Sequence, residues 1–122
     1  MSIESIITDD GAHLSSKLME ISFQRQNVIA NNLANSNTPG YIRKEVQFQD
    51  KLAALIDGKN MDSLDRFQSE VVDDLSKPAR LDGNNVDGTG EMSEMMQNSV
   101  LHNLLTRAFS TKMKIMEQAI SR

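Results

Sequence analysis

Between Gly11 and Ser36 no proline or internal glycine interrupts the chain, and apolar residues recur at steps of three and four. Leu14, Leu18, Ile21 and Val28 form one row, with Met19, Phe23, Ala30 and Leu33 beside it. This spacing predicts a helix. On a helical wheel the two rows together cover roughly 220°, leaving Ser16, Glu20, Gln24, Asn27 and Asn31 for water. That is wider than one core-facing stripe, so one partner helix cannot cover it.

From Glu91 to Ser121 there is again neither proline nor glycine, and the stretch would span roughly 46 Å at the α-helical rise. A compact ball of this chain length is only about 35 Å across, so the molecule is expected to be elongated. Leu101, Leu104, Leu105, Ala108, Phe109, Met113, Ile115, Met116, Ala119 and Ile120 fall on one semicircle of this helix. Met92, Met96 and Val100 project from nearly the opposite side, so the apolar face changes direction near residues 97–100. Different neighbours are therefore needed along its length. Glu91 and Glu94 come early and Arg107, Lys112 and Lys114 later, the order that the helix dipole favours.

Both prolines and most glycines lie between the two helices. Ile42, Lys44, Val46 and Phe48 alternate with Arg43, Glu45 and Gln47, as an extended piece would. A short helical segment through Leu52, Leu55 and Ile56 is expected to end at Asp57-Gly58. Residues 59–70 are expected to be a mobile loop, since apolar positions there are sparse and without period. Ser76-Lys77-Pro78 and Asp82-Gly83-Asn84-Asn85 read as turns. The expected fold is mainly α: long N- and C-terminal helices paired as a coiled-coil-like hairpin, with a short irregular or β-containing middle. Three stretches make one elongated domain: 1–41, 42–88 and 89–122.

Composition narrows the chemistry. The 122 residues leave room for one domain. A formal charge of −4 offers no attraction for phosphates, so nucleic acid is not an expected partner. No apolar run is long enough to cross a membrane, and no membrane insertion is expected. A basic n-region and an apolar core are missing near Met1, so no cleaved signal peptide is expected. Without cysteine there is no disulfide, thiolate zinc site or thiol nucleophile.

Two chemical motifs remain to be weighed. Asn85, Asp87, Thr89, Gly90, Glu91 and Ser93 fall at calcium-loop positions 1, 3, 5, 6, 7 and 9. The twelfth position, which needs a bidentate glutamate, is Met96. The two histidines, His13 and His102, lie near opposite ends in no nucleophile or zinc motif. No catalytic residue, metal or cofactor is expected. The competing reading is a small calcium- or peptide-binding regulatory module, built on the 82–94 segment and the eight methionines.

The asparagines are harder to dismiss. Ala30-Asn31-Asn32-Leu33-Ala34-Asn35-Ser36-Asn37-Thr38-Pro39-Gly40-Tyr41 is rich in a poor helix former. Thr38, Pro39, Gly40 and Tyr41 suit a type II turn with Gly40 at positive φ. A turn does not explain Asn31 and Asn32 one helical turn earlier. Their amides, with Asn35, are expected to hydrogen bond to neighbouring chains.

This run resembles the N-terminal signature of bacterial flagellar rod, hook and hook-associated axial proteins. The likeness extends to residues 41–48, to Leu81-Asp82-Gly83-Asn84-Asn85-Val86-Asp87 and to residues 98–120, where the chain is similar to the family's small proximal-rod subunits. One departure is Gly88-Thr89-Gly90, which suggests a last helix that starts late and is capped by Thr89. The resemblance implies a structural protein of the basal body, exported by the flagellar type III apparatus and polymerised in the periplasm. Its implied partners are further copies of itself, other rod subunits, and rotor-ring and rod-base adaptor proteins. The subunit interface is expected at Leu14, Leu18, Ile21, Val28, Asn31, Asn32, Leu33, Asn35, Leu101, Leu105, Ala108, Ile115 and Met116.

Overall fold

The computed structural model describes residues 11–58, 61–64 and 66–121. The first helix, α1, runs Gly11–Ala34, and the last, α3, runs Gly88–Ile120. They lie antiparallel: Asn32 of α1 meets Glu91 of α3 at one end, and Ser22 meets His102 farther along. At the helical rise α3 is about 50 Å long, so the paired helices make a rod-shaped unit. Between them come β1 (Lys44–Gln47), α2 (Gln49–Asp57), a 3-10 turn (Met61–Ser63) and β2 (Glu70–Asp73). The strands pair antiparallel, with Lys44 opposite Asp73 and Gln47 opposite Glu70.

The apolar core sits beside α1, under the middle segment. Ile21, Leu52, Leu64 and Phe67 are buried together, and Leu14, Leu18, Val46, Phe48 and Leu55 pack on them. This corrects two expectations. Leu64 and Phe67 lie in the stretch expected to be a mobile loop, yet they close the core, because two side chains three apart suffice to cap an exposed helix face without showing a period. Lys59, Asn60 and Asp65 of that stretch lie outside the described residues. Ile21, with Leu14 and Leu18, was assigned to a subunit interface; these side chains instead face the chain's own core. Val28 is half-buried and lines a cleft with Lys44 and Val46, so it too meets its own chain.

The last helix begins at Gly88 with Asp87 in the cap position, not at Thr89. The backbone N–H of Glu91 donates to the Asp87 carbonyl at 2.9 Å, and a Cβ on Gly90 would stand 2.9 Å from the Asp87 carboxylate. Glycine at 90 thus lets that carboxylate fold over the first turn, and the helix starts early.

The two halves of α3 are covered unequally. Glu91 and Asn98 are buried against α1. Leu105, Phe109 and Met116 are half-buried on the same side. Outside it, Val100 is 68% exposed, Leu104 63%, Ile115 53% and Ile120 82%. Met92 and Met96 are exposed as well, on the side the sequence pattern indicated. No helix among the described residues is long and apolar enough to cross a membrane.

Candidate functional site

At the closed end of the hairpin a polar junction ties α1, the turn after it, β1, the 82–87 segment and the start of α3 together. Its centre is Asn32, fully buried. Asn32 Nδ2 donates to the Lys44 carbonyl at 2.8 Å and to Glu91 Oε2 at 3.3 Å. Its Oδ1 accepts from the Tyr41 hydroxyl at 2.9 Å and from the Lys44 N–H at 3.0 Å. An amide can make about four such bonds, two each way, so this one is used up within the chain. Asn32 therefore cannot be the intersubunit amide the sequence suggested; it fixes β1 on α1.

Arg43 is the second centre, only 4% exposed. Its guanidinium donates from Nε to Glu91, from NH1 to Asp74 at 2.8 Å and from NH2 to Glu94 at 2.7 Å. One planar fork so gathers carboxylates from β2's end and from two turns of α3. Burial works against the charge, but the hydrogen bond and charge of Glu91, then Glu94 and Asp74, outweigh it and hold Arg43 above its ordinary value. Asp74 is held below the ordinary carboxylate value, chiefly by the Ser76 hydroxyl, with the Ser76 N–H and Arg43 adding to it against burial. Burial raises Tyr41.

The turn stands where Thr38, Pro39, Gly40 and Tyr41 place it. The Tyr41 N–H donates to the Thr38 carbonyl at 3.2 Å, and Gly40 has φ of 75°. A second turn docks on it: the Gly40 N–H donates to the Asp82 carbonyl at 2.8 Å, and a Cβ on Gly83, itself at φ 84°, would stand 3.2 Å from the Gly40 Cα. Asn84 locks the pair, donating to the carbonyls of Asn35 at 2.8 Å and Thr38 at 2.9 Å and accepting from the Val86 N–H at 2.7 Å. Asn85 accepts from the Arg43 N–H at 2.6 Å and donates to the Asp74 carbonyl at 2.7 Å.

Asn31 is exposed; its Nδ2 donates to the Tyr41 hydroxyl at 3.3 Å, and Asn35 Nδ2 donates to the Asn31 carbonyl at 2.8 Å. Leu33 is half-buried. The asparagines thus stitch the chain to itself. Sequence reasoning missed Arg43, Asp74, Asn84 and Glu91, whose partners lie tens of residues away. The doubled Asn84-Asn85 after a turn, in step with Asn31-Asn32, was the available signal.

The candidate calcium loop is held by protein groups. From Gly88 it is helix, Glu91 is bound to Arg43 and Asn32, and Asn85 clamps two backbone segments. No cluster of metal-binding side chains stands among the described residues. His102 is paired through Nδ1 with the Ser22 hydroxyl at 2.7 Å; His13 lies far off at the start of α1. Of the remaining expected interface residues, Leu101, Ala108 and Ile115 are exposed, while Leu105 and Met116 are half-buried.

The comparisons meet this geometry at the same place. The sequence profile of the family described as "Flagella basal body rod protein" matches residues 23–41, the end of α1 and the turn. Flagellar basal body rod protein FlgB of Borrelia hermsii is 33% identical, over 76% of this chain and 82% of that protein. FlgB of Bacillus subtilis (strain 168) is 30% identical over 80% of this chain and 82% of its own length, and FlgB of Borreliella burgdorferi 31% over 75% and 82%. The likeness to these relatives covers three quarters or more of the chain, and this chain belongs to the FlgB family of flagellar basal body rod proteins.

Proposed function

We propose that the chain is a structural subunit of the proximal rod, polymerising through its terminal helices in the periplasm and carrying torque from the rotor to the more distal rod. Membership of a basal body rod family supports a structural role in the flagellar basal body. The observation that carries assembly is the uncovered apolar surface of α3. A helix that leaves Val100, Leu104, Ile115 and Ile120 largely in water is incomplete as a monomer. The interface accordingly moves to Leu101, Leu104, Ala108 and Ile115, with Asn31 at its edge, and away from Ile21 and Asn32.

The role is mechanical, not catalytic. A clamp with Asn32 and Arg43 at its centre stiffens the junction where load passes between helices and middle segment. Its partners are further copies, other rod subunits and the rotor-ring and rod-base adaptors, reached through the flagellar type III export apparatus. Basal bodies isolated from motile cells test this. The chain is expected in the rod fraction, and its deletion should stop motility with the rod absent. Normal rods without the chain would overturn the proposal.

A further inference from the structure

Along the helix pair from the clamp, a notch of about 180 Å³ opens between α1 and α3, lined by Ser22, Phe23 and Gln26 on one side and Asn98, Ser99, His102 and Asn103 on the other. No lining side chain is a carboxylate, an amine or a guanidinium. Two of its polar groups lack partners. Asn98, 2% exposed, donates Nδ2 to the Ser22 carbonyl and to Gln26 Oε1, both at 2.8 Å, but its Oδ1 is buried with no donor. The Ser22 hydroxyl reaches the Met19 carbonyl at 2.8 Å, an acceptor only, so its one proton goes there. With that proton so placed, a neutral His102 donates its Nδ1–H to Ser22 Oγ and keeps Nε2 as an acceptor, for which no partner stands among the described residues. The notch is short of donors, and its uncharged lining favours a neutral one over an ammonium. Phe23, 63% exposed, makes its rim apolar.

The chain presents the complement on another face. Gln97 is exposed on α3 and has no hydrogen-bond partner among the described residues. Val100, Leu101 and Leu104 stand three, four and seven residues on, all exposed, so the amide is set among apolar neighbours on one face. Gln97 and Asn103 lie roughly 120° apart about the helix axis, so the two surfaces face different directions.

We propose that the notch seats α3 of a second copy of this chain, whose Gln97 amide donates to His102 Nε2 while Val100, Leu101 and Leu104 cover Phe23. The inference rests on the assembly reading above and names the partner surface for it. The contact joins unlike surfaces, so every copy keeps one of each free, and the association extends to further copies instead of stopping at a dimer.

The test is a cysteine pair in a chain that has none of its own. Gln97→Cys/Asn103→Cys cannot close within one helix, since six residues rise about 9 Å, beyond the roughly 7 Å that a disulfide allows. Oxidised basal bodies carrying the full-length double variant should give a ladder of disulfide-linked oligomers. The control Gln97→Cys/Thr111→Cys, both on the face away from the notch, should give none. Equal ladders, or none from either pair in basal bodies that contain the chain, would overturn the notch contact and leave the rod reading standing. A wild-type chain absent from basal bodies would overturn both. If the double variant is not exported, purified full-length single variants are mixed, with circular dichroism verifying the fold of each. Linkage between Gln97→Cys and Asn103→Cys chains above that between Gln97→Cys and Thr111→Cys chains supports the contact, and equal linkage overturns it.

Discussion

The two ends of the helical hairpin are built on opposite principles. At the closed end Asn32, Arg43, Asn84, Asn85 and Glu91 are buried polar groups whose hydrogen bonds go to other parts of the same chain. At the far end α3 carries Leu104, Ile115 and Ile120 exposed to water. Buried polar networks fix one geometry because each member is costly to leave unpaired. Exposed apolar ridges fix none until something covers them. The molecule is finished at one end and leaves apolar surface uncovered at the other.

Breaking the finished end should have the largest effect on the isolated chain. Arg43→Met leaves Glu91, fully buried, and Asp74 without their cation, and should cost about 3 to 5 kcal/mol in denaturant unfolding. Replacing the pair together, as Arg43→Met/Glu91→Met, should restore part of that loss. Asn32→Leu comes next, at about 3 kcal/mol, because the N–H and C=O of Lys44 and the Tyr41 hydroxyl all lose partners. Amide exchange in β1 should rise in both variants while exchange in the middle of α1 changes less.

Gly40→Val sharpens the comparison by touching the junction without any packing. A Cβ there meets nothing within 4 Å, so the expected cost of about 1 to 2 kcal/mol is chiefly that of positive φ. Measured by thermal melting, a loss several times larger would mean that the turn carries more of the junction than its own conformation.

Acid probes the same end. Asp74 sits below its ordinary value of 3.8, so the stability it contributes is fully present above that pH and is lost as pH falls through the lower folded value. Unfolding free energy should therefore fall with acidification below about pH 4, and Asp74→Asn should remove part of that slope while lowering stability at pH 7.

How much of this could be read from the sequence follows the same division. The helices announce themselves by period, and Pro39-Gly40 announces its turn, because both are local preferences of the backbone. The unpartnered ridge was visible too, as apolar residues changing sides at residues 97–100. The junction was not. Asn32 reads as an odd helix residue until Lys44 and Glu91, 12 and 59 positions on, are seen around it, and a single arginine such as Arg43 carries no sign of burial. Leu64 and Phe67 escaped for a related reason: the surface that they cap belongs to α1 and α2. The amides of Asn32 and Asn35 bond to the backbone of their own chain, where the sequence alone pointed to neighbouring chains.

The claim that the two ends differ in kind is tested most directly by Leu104→Asp, measured as thermal unfolding of the isolated chain and as incorporation into isolated basal bodies. Leu104 is largely exposed, so the melt should stay within about 0.5 kcal/mol of the parent, while the variant should be missing from the rod and the cells non-motile. Rods that contain Leu104→Asp at parental levels in motile cells would contradict the account, as would a monomer that unfolds on losing a side chain already in water.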